Sequence, residues 1–355
     1  MSDILIRRAE PEDGPALVAA KAAIDAETEF LGRPGEYGDW PEKSSERLKT
    51  WREKDIGGYF LAIADGEIVG FLSIFRGGLK RAAGAGMIPQ VGLRATHRGQ
   101  GIGGKLFEAA EAWARGHDMH RLELRVDEKN FRGRALYTRL GFEVEGAIPR
   151  AVDDDGTWRT HLIMAKRFRS FPPFPPDVDE ATPASGDTLD GIVIRPARGD
   201  DAAACRTWEI QLVTELPWGA REVSEVVPEE TIRGDLTKGA ENPRRMMLLA
   251  LSGERILGLL GAGFGEHRMR GECHGGINVL REGRGRGIGR ELAARFERWA
   301  IENDAKRLTC SISTVNTSGI RFAERLGYQR EVMSQAAVVI DGRGVDRLRL
   351  GKLIG

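Results

Sequence analysis

The sequence predicts an α/β (α+β) protein made of two tandem copies of one domain, each a mixed, mainly antiparallel sheet flanked by helices. A glycine-rich loop at residues 98–104 recurs at residues 284–290, so that Gly101 and Gly287 lie 186 positions apart. Other identical residues share this spacing: Trp113 and Trp299, Leu122 and Leu308, Asn130 and Asn316, and Gly141 and Gly327. The length of 355 residues also suits two domains better than one core.

Composition limits the class of protein and its compartment. The 53 basic and 53 acidic residues give a formal net charge of zero, so no overall basic field favours nucleic acid or an anionic membrane. The three cysteines lack CxxC spacing and are too few for a disulfide framework, which indicates a reducing compartment. The N-terminus is charged too early for a secretory signal, and the densest apolar run, residues 246–251, cannot span a bilayer. We therefore expect a cytoplasmic protein that binds neither nucleic acid nor membrane.

The first half begins with a strand and two helices. Residues 4–6 are an apolar triplet that predicts a strand, and residues 10–13 (Glu-Pro-Glu-Asp) predict a helix start, since proline and carboxylates favour the first turn. We expect this helix to run to about Phe30. An irregular stretch at residues 31–44 then precedes a helical pattern over residues 45–54. Because long loops in compact domains often carry function, residues 31–44 are a candidate substrate region.

A β-meander follows these helices and leads to the glycine loop. Residues 59–64 and 68–75 flank an Asp-Gly pair, which predicts a tight antiparallel hairpin. A short apolar strand then precedes the loop and its apolar-faced helix, and residues 122–126 alternate as a further strand. Asn130 begins the next helix, and Gly141 suits a left-handed helix cap. A last hairpin is predicted at the second Asp-Gly pair, residues 155 and 156.

The second half repeats this order, and a distinct segment separates the two copies. Residues 169–190 are rich in proline and acidic residues, which is typical of a stiff, solvated linker. We therefore predict an N-terminal domain at residues 1–168 and a C-terminal domain at residues 191–355.

The glycine loops predict a site for phosphate. Glycines let the backbone approach a ligand, several N–H groups at a helix start can point at one anion, and the helix dipole favours negative charge. Arg98 and Arg284 add a positive charge to each loop. A dinucleotide fingerprint is the alternative, since Gly99, Gly101 and Gly104 fit its spacing and Asp127 could bind a ribose. The loop follows an antiparallel meander and the second copy departs from the spacing, so we favour the first interpretation.

The order of elements, the R-x-x-G-x-G loops and the Asn-led helix ending in Leu-Gly-Phe together resemble the GNAT (Gcn5-related N-acetyltransferase) superfamily over both halves. The resemblance implies acetyl-CoA as cofactor, with its diphosphate on the loop amides and its pantetheine arm beside residues 91–94. It also implies that Asn130 contacts this arm and that Tyr137 lies near the thioester sulfur. The cofactor residues implied in the first copy are Leu93, Arg94, Arg98, Gly99, Gln100, Gly101, Ile102, Gly103, Gly104, Asn130 and Tyr137. Those in the second are Val279, Arg284, Gly285, Arg286, Gly287, Ile288, Gly289 and Asn316.

The chemistry of acetyl transfer explains what the site must supply. A primary amine is mostly protonated at pH 7, so exposing its neutral form costs roughly 4 to 5 kcal/mol unless a base helps. We predict the Leu93 N–H as oxyanion donor, Tyr137 as the acid for the departing thiolate, and Glu29 as base. Other candidate bases are Glu27, Glu36, Asp39, Glu123 and His97. The structural alternatives are a packed aromatic for Tyr137 and a helix cap for Asn130.

The second copy lacks the hydroxyl that this chemistry uses. Ala323 stands at the position of Tyr137, and Tyr328 corresponds to Phe142. We therefore expect the first copy to be catalytic and the second to be degenerate or accessory.

Acidic and aromatic residues indicate the kind of acceptor. The candidate substrate residues are Glu27, Glu36, Tyr37, Asp39 and Trp40. They favour a small cationic amine as acceptor. The alternative for the two aromatic residues is that they only hold the loop in place. An acyl-CoA-binding sensor without transferase activity is the alternative function. We expect no metal site, because His267, Cys273 and His274 have no fourth ligand at suitable spacing.

Overall fold

The computed structural model describes residues 3–33, 36, 40–175 and 189–354. By its contacts the chain divides into two compact units. The first comprises Met1–Ala147 and Thr160–Phe171, and the second comprises Ile148–Arg159 and Pro172–Gly355. Within the described ranges, no helix is both long and apolar enough to cross a membrane.

The first copy contains seven strands and four helices among the described residues. In chain order they are β1 (Leu5–Arg8), α1 (Gly14–Asp25), α2 (Trp40–Glu53), β2 (Gly57–Ala64), β3 (Glu67–Arg76), β4 (Ala85–Leu93), α3 (Ile102–Gly116), β5 (Arg121–Asp127), α4 (Phe131–Arg139), β6 (Glu143–Asp154) and β7 (Thr157–Arg167). Strands β1 to β5 are neighbours in sequence order, and β7 lies next to β5. Only the β4–β5 pair is parallel among those from β1 to β5 and β7, so the predicted mixed, mainly antiparallel sheet is confirmed.

Two helix boundaries differ from the prediction. A 3₁₀ turn occupies Pro11–Asp13 and α1 ends at Asp25, so the helix expected to reach Phe30 is shorter. Glu27, two residues after the helix end, accepts a hydrogen bond from the Ala95 N–H in the segment after β4. Helix α2 begins at Trp40 instead of residue 45. Its first turn tolerates Pro41, and the buried Trp40 ring stacks on Trp51, which extends the helix.

Helices cover both faces of the first sheet. The buried side of α3 contributes Ile102, Leu106, Phe107 and Ala110 to a core cluster with β3 and β5. On the other side, α1 and α2 bury Leu17, Ile24 and Leu48 against Tyr59, Leu61 and Phe71. These two layers fix the positions of the strand ends that carry the candidate site.

The second copy repeats this arrangement. Its elements are β8 (Ile192–Pro196), α5 (Ala202–Glu215), α6 (Glu229–Glu241), β9 (Arg245–Ser252), β10 (Arg255–Phe264), β11 (Glu272–Val279), α7 (Ile288–Glu302), β12 (Arg307–Ser313), α8 (Thr317–Arg325), β13 (Gln329–Ile340) and β14 (Arg343–Leu353). The strand order is β8-β9-β10-β11-β12-β14-β13, and β11–β12 is its parallel pair. The predicted linker lies largely outside the described residues, which omit 176–188.

The central parallel pair splays apart in each copy. The register of β4 with β5 runs only from Ala85↔Arg121 to Ile88↔Leu124, although both strands continue further. The β11–β12 register runs from Glu272↔Arg307 to His274↔Thr309. Each sheet therefore opens beside the carboxyl end of the strand that precedes the glycine loop.

Candidate functional site

The glycine loops have the backbone that their sequence predicts. Gly99 and Gly101 have φ values of 79° and 78°, and Gly285 and Gly287 have values of 75° and 78°. Because a side chain is strained in this left-handed region, glycine is required at these positions. Each loop opens a 15-residue helix, and no side chain caps the helix start. The first-turn amides can therefore receive an anion.

An arginine fastens each loop to the preceding strand. The Arg98 Nε donates to the Leu93 carbonyl at 3.0 Å, and the Arg284 Nε donates to the Val279 carbonyl at 3.1 Å. Gln100 Nε2 also donates to the Thr96 carbonyl, at 3.1 Å. The guanidinium groups are thus held beside the loop amides, where they reinforce the preference for an anion.

The remaining loop positions contribute mainly through the backbone. Ile102 and Ile288 are each 1% exposed and pack into the cores of their copies. Arg286 donates to the Asp190 carbonyl at 3.1 Å. These contacts hold the start of α3 and α7 in place.

Glu27 lies at the first loop. Its carboxylate accepts from Arg94 Nε at 2.8 Å and from the Ala95 N–H at 2.5 Å, and it lies 3.4 Å from the Arg98 guanidinium. Its counterpart Glu215 accepts from the Arg281 N–H at 2.9 Å. The structure therefore places this predicted substrate residue among the predicted cofactor residues.

Gly103 brings three elements of the first site together. A Cβ built at Gly103 would lie 3.2 Å from Leu136 Cδ2 and 3.7 Å from Leu93 Cδ1. The start of α3 therefore packs against the end of β4 and against α4, next to Tyr137. In the second copy a Cβ at Gly289 would lie 3.4 Å from the Phe322 ring.

The Leu93 N–H points toward the opening in the sheet. The Arg94 N–H donates to the Val69 carbonyl at 2.9 Å, so these directly opposed residues form a hydrogen-bonded pair. Such pairs alternate along an antiparallel ladder, which makes the next pair, Gly70 and Leu93, non-bonded. Leu93 therefore directs its N–H away from β3, to the side where β5 diverges. Val279 has the same orientation, because the Leu280 N–H donates to the Leu257 carbonyl at 2.9 Å.

The two asparagines cap the helices that follow the splay. Asn130 Oδ1 accepts from the Gly133 N–H at 2.9 Å, and Asn316 Oδ1 accepts from the Gly319 N–H at 2.9 Å. A Cβ on either glycine would lie within 3 Å of the asparagine side chain. Each asparagine thus caps its helix through its side-chain oxygen, and its amide nitrogen stays available to a ligand.

Tyr137 lies in the core of the first copy. It is 7% exposed, and its ring centroid is 5.6 Å from that of Phe107 and 6.3 Å from that of Phe142. Burial raises the pKa of the Tyr137 hydroxyl above its usual range, so the side chain is a neutral donor at pH 7. Ala323, at the matching place, is also buried.

A β-bulge, which the sequence analysis missed, lies on β4. Between the pairs Ser73↔Gln90 and Phe75↔Met87, β4 has two residues opposite one residue of β3. Pro89 is one of the two, and a proline inside a strand pattern is a signal that could have located the bulge. The β10–β11 register runs without a shift, so the second copy has no bulge on this pair.

A polar group lies beside this bulge. The Gln90 N–H donates to Ser73 Oγ at 3.1 Å, and the Tyr59 hydroxyl lies 3.4 Å from Gln90 Oε1. Burial raises the pKa of Tyr59 to about 12, while its hydrogen bond with Ser73 works against the rise. These polar side chains face α1 and α2, on the side opposite α3.

Three other candidate bases lie on different elements of the first copy. Glu29 is exposed in the turn after α1. Glu123 Oε2 accepts from Arg121 at 2.8 Å, and His97 Nδ1 lies 2.9 Å from Thr96 Oγ1.

The predicted substrate segment is only partly described. Glu36 Oε2 accepts from the Arg33 N–H at 2.8 Å. Trp40 is 6% exposed, and its ring centroid lies 5.5 Å from that of Trp51 inside the core. Tyr37 and Asp39 lie outside the described residues.

A histidine that the sequence analysis missed lies at the splayed end of β5, next to Asp127, which that analysis considered only as a ribose-binding residue. Asp127 is the last residue of β5 and pairs with His161 on β7. The Asp127 Oδ2 lies 4.0 Å from His161 Nε2. Leu122, Leu124 and Val126 pack on the α3 side, so Asp127 and His161 face the opposite side.

The second splay contains an aromatic side chain. Trp218 is 6% exposed and packs with Val315 and Val338. It lines a cavity of about 20 Å³ together with Arg284 and Asn316, the loop arginine and the helix cap. A cavity this small holds about one water molecule.

The residues weighed for a metal site include a buried cysteine, Cys273. Burial raises the pKa of the Cys273 thiol to about 12. Within the described residues, no group of three or more His, Cys, Asp or Glu side chains could hold a metal ion.

Comparison with known proteins identifies the family. The model of the acetyltransferase (GNAT) family matches the chain twice, over residues 25–142 and 210–328. These matches cover more than half of the chain, so the chain belongs to this family as a tandem member. The resemblance inferred from the loops is confirmed, and the protein is an acyltransferase.

Individual relatives match about one copy each. An L-methionine sulfoximine/L-methionine sulfone acetyltransferase of Pseudomonas aeruginosa is 29% identical over 139 residues, which are 36% of this chain and 76% of the relative. Among solved structures, an acetyltransferase of the GNAT family from Streptococcus pneumoniae is 29% identical and covers 47% of this chain and 100% of its own, with a TM-score of 0.44. A ribosomal-protein-alanine N-acetyltransferase from Brucella melitensis is 25% identical and covers 46% and 99%, with a TM-score of 0.42.

Proposed function

We propose that the first copy binds acetyl-CoA and transfers its acetyl group to the amine of a small molecule, and that the second copy does not perform transfer. Family membership supports acyl transfer in general. The observation that carries the assignment to the first copy is the convergence at Gly103 of the glycine loop, the end of β4 and the helix of Tyr137. The second copy has Ala323 in place of this tyrosine.

The residues of the first loop suit a diphosphate and its arm. The amides that begin α3 and the Arg98 guanidinium would bind the diphosphate. The edge of β4 that faces the splay has unused backbone groups, which could pair with an extended amide-containing arm. Asn130 would add its amide nitrogen. Bound acetyl-CoA supplies an activated acetyl group as a thioester.

Tyr137 would act as a donor to the departing sulfur. Because burial raises its pKa, the phenol stays protonated, and complete transfer of its proton to a thiolate of ordinary pKa near 8.5 would be uphill. Its most effective role is a hydrogen bond that stabilises the developing negative charge. The Leu93 N–H would do the same for the carbonyl oxygen.

The amine must lose a proton before or during attack. Glu29 is the base predicted from the sequence, and the pair of His161 and Asp127 is a second candidate that the fold adds. An imidazole close to a carboxylate can accept a proton near pH 7, and this pair lies at the open end of β5.

The acceptor class rests on two supports. The acidic residues of the substrate segment favour a cationic amine, and the Pseudomonas relative is named for acetylation of L-methionine sulfoximine and L-methionine sulfone. We propose a small amino compound as acceptor, bound on the α1–α2 side of the sheet.

An amine panel tests this function. Release of free CoA thiol from acetyl-CoA would be measured with L-methionine sulfoximine, a polyamine and a short peptide with a free N-terminus, each against a no-amine blank. We expect release that depends on one of the small amines. Saturable binding of acetyl-CoA without release on any amine would favour the sensor.

The organisation and location of the protein follow the same proposal. We propose domains at residues 1–168 and 191–355, joined by the linker at residues 169–190. The three free cysteines support a reducing, cytoplasmic location.

A further inference from the structure

A hollow on the sheet of the second copy is lined by Gly261 and Gly263, and a third glycine, Gly276, lies beside Gly261. In the strand register, Gly261 lies between Met247 and Gly276, and the neighbouring Gly263 lies between Arg245 and His274. Directly opposed residues point to the same face of a sheet, so these two rows share one surface. A Cβ built at Gly261 or Gly276 would meet nothing within 4 Å.

The backbone does not require glycine at these positions. Gly261, Gly263 and Gly276 all lack positive φ values, so other residues could adopt their conformations. Glycine inside a strand weakens it and often marks a place where a ligand comes close to the backbone. The absent side chains therefore leave space on the sheet at a cost to strand stability.

Side chains fill the matching rows of the first copy. There Tyr59, Ser73 and Gln90 stand where the second copy has Met247, Gly261 and Gly276. The Phe75 ring occupies the middle of the next row, 4.8 Å from the Trp51 ring. The hollow is thus a specific feature of the second copy and not of the shared scaffold.

The hollow is a cavity of about 340 Å³ with cationic walls. This volume is at the lower end of the range for small-molecule sites. Its lining residues are Asn242, Arg244, Arg245, Gly261, Ala262, Gly263, Phe264, Glu266 and His274. The lining thus contains two arginines and a single glutamate, which gives it a net positive charge.

The polar walls are partly fixed in place. Arg244 donates to the carbonyls of Gly265 and Arg270 at 3.2 and 3.0 Å, and its guanidinium lies 4.6 Å from the centre of the Phe264 ring. His274 Nδ1 lies 3.2 Å from Thr309 Oγ1, which orients the imidazole.

The imidazole and Arg245 stand on opposite sides of the glycine floor. His274 and Arg245 are two strand spacings apart, about 10 Å between backbones, with only Gly263 between them. Partial burial and then the positive charges of Arg349 and Arg347 lower the pKa of His274, against the effect of Glu272. At pH 7 the imidazole is therefore a neutral hydrogen-bonding group, and Arg245 supplies the charge.

We propose that this cavity is a second small-molecule site, which binds a small anion, a carboxylate or a phosphate monoester, between Arg245 and His274. The guanidinium presents paired N–H donors to such a group, and the glycine floor lets the ligand lie flat on the strands. The site is distinct from the cofactor loop of its own copy. His274 lies five residues before Val279, a distance of about 16 Å along the strand.

Calorimetric titration of the full-length protein with succinate and with inorganic phosphate, each in a constant sodium chloride background, tests the proposal. We expect saturable binding of at least one of the two at one site per chain. Succinate alone would define a carboxylate site, and phosphate alone a phosphate site. Absence of saturable binding by both would overturn the proposal.

Three variants locate the binding. Arg245→Gln removes the charge, and Gly261→Val fills the floor, so each should weaken binding at least tenfold. Arg298→Gln changes an exposed arginine on α7 outside the cavity and should bind like the wild type. Thermal melts followed by circular dichroism would check that Gly261→Val folds. Arg245→Gln changes an exposed side chain and tests binding to the same cavity independently. Equal binding by the wild type and both cavity variants, or equal weakening by Arg298→Gln, would contradict the site.

Discussion

Arg98 and Arg284 make the same contact in the two copies, each from Nε to the carbonyl of the last residue of the preceding strand. Other fold-holding contacts are also repeated. Arg7 and Asp13 form a bidentate pair at 2.6 and 2.7 Å, and Arg195 with Asp201 repeats it at 2.7 Å for both bonds. The duplication has therefore kept the contacts that hold each fold.

The groups around the splay differ between the copies. The first has Tyr137 and a bulge at Pro89, whereas the second has Ala323, a regular strand and Trp218 beside its loop arginine. We infer that a glycine loop indicates anion binding, whereas under the proposed function the groups around the splay decide whether transfer is possible.

A negative charge introduced at the same position of each glycine loop should give the largest difference in activity between the two copies. Gly101→Glu places a strained side chain and a negative charge on the proposed diphosphate site, so we expect at least a hundredfold loss of acetyl-CoA-dependent thiol release. Gly287→Glu makes the same change in the second loop and should stay within threefold of wild type. Equal losses of thiol release in both variants would contradict the assignment of transfer to the first copy.

Removal of one tyrosine hydroxyl from each copy tests whether catalysis belongs to the first copy. Tyr137→Phe deletes a donor worth about 1.5 to 3 kcal/mol to a charged partner, so kcat should fall about tenfold to a hundredfold with KM for acetyl-CoA unchanged. The ring still fills the site between Phe107 and Phe142, so the melting temperature should hold. Tyr328→Phe is the control in the second copy and should leave kcat as it is. An unchanged kcat in Tyr137→Phe would assign this tyrosine to packing alone.

The loop carboxylates differ in the number of their partners. Glu27→Gln weakens contacts with two arginines, whereas Glu215→Gln keeps an acceptor for the Arg281 N–H. We expect a loss of about 1 kcal/mol in the free energy of unfolding for the first and about half as much for the second. Urea denaturation would measure both, and a larger loss for Glu215→Gln would reverse the order.

The bidentate pairs of Asp13 and Asp201 should contribute alike to the stability of their copies, so the smallest difference between the copies is expected here. The hydrogen bond from arginine lowers the pKa of both Asp13 and Asp201 in the folded protein. Their stabilisation is therefore present above the unfolded carboxyl pKa near 4 and is lost as the pH falls through the lower folded value.

Asp13→Asn and Asp201→Asn should each cost about 1 kcal/mol at pH 7, because the pairs are partly exposed. The cost should disappear toward pH 2. Melting temperatures across this range would check it, and a cost that is constant with pH would show that the charge of the pair is not responsible.

Local signals predicted the repeated scaffold well. The loop glycines and the two asparagine caps depend on residues close in sequence, so their spacing was sufficient to place them. The family model confirms the tandem GNAT assignment.

Features that depend on contacts across strands were missed. Glu27 contacts Arg94, which lies 67 residues away in the sequence. His161 lies beside Asp127 only because of the register between β5 and β7. The hollow over Gly261 becomes visible only when three strands are aligned. Pro89 was the one local signal of the bulge.

We propose the first glycine loop as the place where acetyl-CoA binds for transfer. Calorimetric titration with acetyl-CoA of the wild type, Gly101→Glu and Gly287→Glu tests it most directly. We expect one site per chain in the wild type, the same site in Gly287→Glu, and no binding in Gly101→Glu. A single site that survives Gly101→Glu and disappears in Gly287→Glu would contradict it.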